Sequence, residues 1–230
     1  MTLISEYQVH DKLLIAVDCI IFGFDGTELK ALLIKRGFEP QKSNWSLMGG
    51  FVKKDESVEN AAFRILAELT GLTDIYLEQL SAFGEVNRDP GGRVISIAYF
   101  ALIKINDYSE ELLKQHNAQW FNIKRIPRMV FDHKKMIMQA KDHLRQKVAN
   151  HPIGFELLPP KFTLPQLQNL YEAIYDTTFD KRNFSRKILS LHIIKKLNEK
   201  ERFNSKRGAF FYTFDHAKYK KLEKEGLKLI

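Results

Sequence analysis

Residues able to do chemistry concentrate in two stretches of the 230-residue chain. In the first, Gly50 is followed by Glu56, Arg64, Glu68 and Gly71. Carboxylates are hard oxygen donors that can hold a divalent cation. They can equally pair with a guanidinium, and Arg64 and Glu68 stand one helical turn apart, the spacing of a structural ion pair with Glu56 nearby. The paired reading is preferred, because Ile65 and Leu69, beside these residues, offer neither ligand nor base. The second stretch runs from Asp180 through Lys181, Arg182, Asn183, Phe184, Ser185, Arg186 and Lys187. It crowds donors onto the opening turns of a helix, with Phe184, Ile188 and Leu191 left to anchor it. Helix N-termini already favour phosphate, Arg forks onto guanine and Asn onto adenine. Arg182, Asn183 and Arg186 are therefore candidates for base contacts and Lys181 and Lys187 for phosphates, with Ser185 an added donor.

Further polar groups sit where a strand would open. Trp45 precedes Gly49-Gly50, and Arg88-Asp89-Pro90 with Arg93 stands just before Val94. An arginine here could fork onto a phosphate or a sugar diol, and the indole could stack on a ring. A loop salt bridge between Arg88 and Asp89 is the competing explanation. Arg36 is a further ligand candidate, at the end of a strand.

The elements that must carry these groups are readable from pattern. LLIAVDCIIFGF (Leu13 to Phe24) is a buried strand, and Asp25-Gly26 turns it into a second at Leu29 to Ile34. Strand-like runs recur at Ala82 to Glu85 and Val94 to Ile105. Val58, Ala61, Ala62, Ile65, Leu66 and Leu69 predict a helix beginning after Ser57 and stopped by Gly71. Met136, Ile137, Ala140, Leu144 and Val148 predict another over Asp132 to Asn150. Near residue 150 a Pro-bearing segment marks a domain boundary, giving domains 1–150 and 151–230. Beyond it, Thr163 with Gln166 caps one helix and Asp180 opens the next. Extended chain follows to Arg202, then a turn at Ser205-Lys206-Arg207-Gly208 and a return over Ala209 to Phe214. Helix, turn, helix, hairpin is the order of a winged helix, with Lys206 and Arg207 at the wing tip positioned for backbone or minor groove.

Charge separates the two halves. Of 36 Lys and Arg and 28 Asp and Glu, residues 1–150 hold 20 and 19, so nearly all of the +8 excess lies in the last 80 residues. A basic tail points to a polyanionic partner, and double-stranded DNA is preferred over RNA. With 44% apolar residues and 7 Pro the chain can bury a core. No apolar run reaches the ~20 residues of a membrane span, and the start lacks a secretion signal. The single Cys19 cannot form an intrachain disulfide, so a reducing, cytoplasmic setting is expected.

Gly50, Glu56, Arg64, Leu66, Glu68, Gly71 and Leu72 fall on the 23-residue Nudix box, and the chain resembles that family. The resemblance implies an α+β fold, with a mixed sheet between helices over the first 150 residues. Ile65 and Leu69 replace two of three helix carboxylates of the box, which implies no enzyme activity and no bound metal or cofactor. With a winged helix appended, and with NRDPGGRVISIAYFAL, FTLPQLQNLYEAIYD and DKRNFSRK, the whole chain resembles Nudix-related transcriptional regulators. These imply a homodimer on a palindromic operator and a small effector. Losing two carboxylates tilts the effector toward a sugar such as L-arabinose. The alternatives are ADP-ribose, with control of NAD metabolism, or hydrolysis of nucleoside-diphosphate-linked substrates.

Overall fold

Strand β1 (Leu14–Phe24) organises the first half of the molecule because its side chains alternate between two apolar layers. A computed structural model describes residues 7–71, 75–105, 110–202 and 208–224. After β1, Asp25 Oδ1 accepts from the Thr27 and Glu28 N–H groups at 2.9 and 2.8 Å, and Gly26 takes φ 98°. This turn returns the chain as β2 (Leu29–Lys35), antiparallel with Phe24 opposite Leu29. β3 (Trp45–Ser46) adds to β2, while β4 (Met48–Phe51) pairs with the first half of β1. β5 (Tyr76–Phe83) lies antiparallel to β6 (Val94–Lys104), which runs parallel to β1 along its whole length. β7 (Ala118–Asn122) completes a seven-stranded mixed sheet beside β2.

One face carries Val17, Cys19, Ile21, Tyr99 and Ile103, covered by helix α1 (Val58–Thr70) through Ala61, Ala62, Ile65 and Leu66. Ser57 caps α1 by accepting from the Asn60 N–H, and Gly71 at φ 70° ends it. A short helix α2 (Glu110–Gln115) precedes β7. The other face carries Ile20, Phe22, Phe24, Phe100 and Leu102 against helix α3 (His133–Asn150). Met136, Ile137, Ala140, Leu144 and Val148 are all fully buried there. Each large apolar side chain so buried contributes roughly 1.5–3 kcal/mol.

A 3₁₀ segment (Pro152–Leu157) leads to β8 (Phe162–Thr163) and helix α4 (Leu164–Tyr175). The Thr163 hydroxyl and the Gln166 side chain each cap the other's backbone N–H, as their spacing requires. Helix α5 (Lys181–Ser190), strands β9 (Ile194–Glu201) and β10 (Ala209–Phe214) and helix α6 (His216–Lys224) follow. The small sheet has the order β8-β10-β9. A continuous apolar cluster runs from the α3 face of the large sheet into Leu167, Leu170, Tyr171, Ile174, Phe184 and Ile188.

Three elements differ from the sequence reading. β5 spans Tyr76–Phe83 rather than Ala82 to Glu85, and its register shift between Gln79 and Ser81 breaks the two-residue alternation that would have revealed it. β8 and α6 carry too short or too basic a pattern to stand out in sequence. Among the described residues no helix is long and apolar enough to cross a membrane.

Candidate functional site

The rim of the large sheet where β1, β4 and β6 begin holds a buried polar cluster. Asp18, the lone charge within β1, accepts from Ser96 Oγ at 2.6 Å. Gly49 lies opposite it in β4, and a Cβ there would fall 2.3 Å from Asp18 Oδ1, so only glycine lets the two strands pair around this carboxylate. Arg88, with a side chain only 3% exposed, forks onto Asp132 with Nη2–Oδ1 2.7 Å and Nε–Oδ2 3.0 Å. Its Nη2 is also 3.8 Å from Asp18. Asp132 holds the N-cap position of α3 but makes no capping bond, since its carboxylate is turned onto Arg88.

His133 follows. Its Nδ1 accepts from the Leu47 N–H at 3.0 Å, and its Nε2 is 3.7 Å from Asp18. Burial lowers its pKa, Arg88 and Arg36 adding to the effect and Asp18 and Asp132 opposing it. The neutral ring is what the Leu47 bond requires, because a protonated Nδ1 could not accept it. Arg36 closes the cluster from outside: its Nε donates to Pro40 O at 2.7 Å, and its guanidinium lies 3.9 Å from the Phe38 ring centre and 5.0 Å from that of Phe131.

Asp18, Arg36, Arg88 and His133, with Gly50 and Asp89, line a cavity of about 50 Å³, and Asp132 stands behind Arg88. That volume takes a phosphate-sized fragment, and the rest of a larger ligand would lie across the mouth at Phe38 and Phe51. Two arginines against Asp18 and Asp89 leave the wall close to neutral, and an anion entering here would compete with Asp132 for Arg88.

Of the ligand candidates named from sequence, Arg36, Arg88 and Asp89 line this cavity and Trp45 and Arg93 do not. β3 alternates, so Ser46 faces the cavity while the Trp45 ring packs edge-on against Phe121 with Lys35 Nζ 4.0 Å above it. Arg93 is held by the carbonyls of Gly84 and Glu85. Arg88 pairs across 44 residues with Asp132 rather than with Asp89, whose Oδ1 instead accepts from the Gly91 N–H. Sequence reasoning missed Asp18, Ser46, Asp132 and His133. A charge inside an otherwise apolar strand was the signal for Asp18, whereas Asp132-His133 reads simply as a helix start.

Glu56, in the loop before α1, and Glu68, on it, lie in the ion pair that their spacing predicts. Arg64 donates to both Glu56 oxygens, Nη2–Oε1 2.6 Å and Nε–Oε2 2.9 Å, and to Phe51 O. Glu68 Oε2 is 3.4 Å from Nη1. Hydrogen bonds from Arg64 and the Lys53 N–H bring the Glu56 pKa down to about 2. Ile65 is buried, its Cδ1 3.3 Å from where a Gly50 Cβ would stand, and Leu69 packs against the same apolar cluster. Among the described residues no group of three or more His, Cys, Asp or Glu could hold a metal ion. Of the three helix positions of the Nudix box, Glu68 alone carries a carboxylate, Ile65 and Leu69 being apolar.

In the second half, Asp180 caps α5 by accepting from the Asn183 N–H at 2.8 Å. Phe184 and Ile188 are buried, and Lys181, Arg182, Asn183, Arg186 and Lys187 are exposed, with Ser185 half-buried. Arg186 donates to Asn183 Oδ1, so the two are presented as one unit. On β9, Lys196 and Lys200 stand over the Phe210 ring at 3.6 and 4.5 Å, adding a basic strand face that the sequence reading did not single out. Lys206 and Arg207 lie outside the described residues.

Comparison with known proteins bears on both halves. Residues 12–140 match the NUDIX domain family and residues 154–214 the NrtR DNA-binding winged helix domain. The chain is 34% identical over 217 residues to the ADPR responsive transcriptional repressor NtrR of Acinetobacter baylyi, covering 92% of this chain and 86% of that protein. It is similar to the crystal structure of Shewanella oneidensis NrtR complexed with a 27mer DNA, with TM-score 0.78 and 29% identity over 87% of this chain and 93% of that one. The NUDIX domain of Shewanella oneidensis NrtR complexed with ADP ribose is 30% identical, with TM-score 0.50 over 63% of this chain and 99% of that one. A Nudix sheet carrying a buried arginine cluster, followed by a capped basic helix in a winged fold, is thus found in one chain: it belongs to the Nudix family and, over nearly its whole length, to the NrtR-type DNA-binding transcriptional regulators.

Proposed function

We propose that the chain is an operator-binding repressor whose Nudix cavity takes ADP-ribose as its effector. Residues 1–150 form the sensing and dimerising half and residues 151–230 the DNA-reading half. The observation that carries this reading is the Arg88 cluster. A buried guanidinium, held only by carboxylates at the rim of a small cavity, is the group a diphosphate would claim, and a neutral pentose has little to offer it. The tilt toward L-arabinose, argued from Ile65 and Leu69, is given up. The Acinetobacter relative is named as ADPR responsive, and the Shewanella Nudix domain binds ADP ribose without bearing on any sugar. A dimer reads a two-fold operator with paired α5 helices, Arg182, Asn183 and Arg186 toward bases and Lys181 and Lys187 toward phosphates. The reducing cytoplasm, where operators lie, is part of the same reading.

The test is fluorescence anisotropy with duplex DNA from the chain's own promoter region, titrated with ADP-ribose or with L-arabinose and without added metal. Specific DNA binding that changes with ADP-ribose alone is the expected result. No response to ADP-ribose beside a response to arabinose restores the sugar. An enzyme remains the opposing class, and multiple turnover of ADP-ribose with Mg²⁺ that disappears in Glu68→Ala overturns the regulator reading.

A further inference from the structure

Helix α3 touches both sites. Its start stands at the effector cavity, where His133 lines the wall and accepts from the Leu47 N–H while Asp132, the N-cap residue, forks onto Arg88. Its eighteen residues extend about 27 Å. Two and three turns along, Lys141 and Arg145, four residues apart on one face, both donate to Asp176 Oδ2. Lys124, in the 3₁₀ turn after β7, reaches Asp176 Oδ1 at 3.0 Å. A single carboxylate of the winged-helix half is thus gripped by three cations of the Nudix half. Arg145 Nε also donates to Ile174 O at 2.7 Å, and Tyr175 Oη donates to Arg145 O at 3.0 Å.

Asp176 is the left-handed C-cap of α4, at φ 55°, five residues before α5 begins. The turn between the helices is fastened to α4: Phe179 N–H donates to Glu172 Oε1 at 2.8 Å, and Gln168 Nε2 donates to Phe179 O at 2.9 Å. Phe179 stacks on Phe184 of α5 at 5.7 Å. Helix α4, the turn and α5 are therefore one rigid unit, and Asp176 is where α3 grips it. A cleft of about 430 Å³ lies beside the joint, lined by Thr27, Lys124, Asn169, Glu172 and Asp176.

We infer that Asp176 is the coupling residue of this regulator: α3 acts as a lever between the Arg88–Asp132 clamp in the effector cavity and the base of the DNA-reading helix, and it transmits through the Asp176–Lys141–Arg145–Lys124 cluster. The clamp has two uses for Asp132. With Arg88 unclaimed, the carboxylate forks onto it and leaves the α3 N-cap unmade. An effector diphosphate that takes Arg88 releases Asp132 to cap α3, which re-seats the helix start and moves the far end. Asp176 is not among the residues lining the effector cavity and precedes α5 by five residues, so its role is positional.

The inference rests on the ADP-ribose reading above, and the experiment separates the two. Operator affinity is measured with and without ADP-ribose, and ADP-ribose affinity with and without operator, for the full chain, Asp176→Asn and Arg145→Gln. Linkage requires the two ratios to be equal in each protein, and allosteric ratios ordinarily run about 5- to 150-fold. In Asp176→Asn both ratios are expected to fall to within about twofold of unity, while ADP-ribose affinity of the protein alone is unchanged. Arg145→Gln, at a partly exposed site, is expected to lower the ratios in the same direction, with thermal unfolding followed in parallel. A wild-type ratio retained in both variants overturns the lever. A wild-type ratio of unity overturns the ADP-ribose reading and the lever with it.

Discussion

Replacing Arg88 with methionine keeps most of the side-chain volume and removes the guanidinium. The structure sets the size of the consequence. Arg88 is 3% exposed and its two bonds to Asp132 are 2.7 and 3.0 Å, with Asp18 at 3.8 Å, so the change leaves two carboxylates of one cluster without their cation. Breaking a buried pair on one side costs about 3–5 kcal/mol, a large share of the ~5–15 kcal/mol that holds a domain together. For a chain of this size the loss corresponds to a melting temperature lower by about 10 °C. Asp132→Asn alone is expected to cost less, since Arg88 keeps Asp18. The double variant Arg88→Met/Asp132→Asn is expected to be more stable than the sum of the single losses predicts, by about 2 kcal/mol. Urea denaturation at pH 7 measures all four proteins. Additivity of the two substitutions within about 0.5 kcal/mol refutes the argument that Arg88 and Asp132 act as a pair.

Other outcomes follow from the same geometry. Because the Glu56 pKa is held at about 2 against an ordinary 4.5, its contribution to stability is complete above pH 4.5 and is lost as pH falls toward 2. Acid titrations of Glu56→Gln should lack that part of the slope, and an unchanged slope would exclude the Arg64 pair as its cause. Ile65→Glu, which writes a Nudix carboxylate back into α1, buries an unpaired charge at a site 2% exposed, and a loss of about 3 kcal/mol by denaturation is expected. Arg182→Ala/Arg186→Ala should abolish specific operator shifts with thermal unfolding unchanged. Retained binding there would mean that α5 does not read the duplex.

Much of this protein is legible in one dimension. The β1–β2 hairpin follows from an apolar run ended by Asp25-Gly26, α1 from the three- and four-residue recurrence between Ser57 and Gly71, and α4 from the Thr163–Gln166 cap. The Arg64 pair was likewise readable, since Glu68 is one helical turn away and Glu56 lies in the adjoining loop. Those features are local: the physics that makes them operates over a few residues, and periodicity, capping and turn chemistry record it in the sequence. The Arg88 cluster is different. Asp18, Ser96, Arg88 and Asp132 lie on four separate elements, and only the parallel register of β1 with β6 and the docking of α3 on the opposite face bring them within bonding distance. The same holds for Trp45, whose side of the sheet depended on how a two-residue strand joined β2, and for Asp176, an unremarkable acid in sequence that meets three cations from 31 to 52 positions away only after the two halves pack together. Burying a charge carries a large desolvation cost, so these groups are tolerated only where folding supplies the partner, and which partner arrives is settled by the tertiary arrangement and not by distance along the chain.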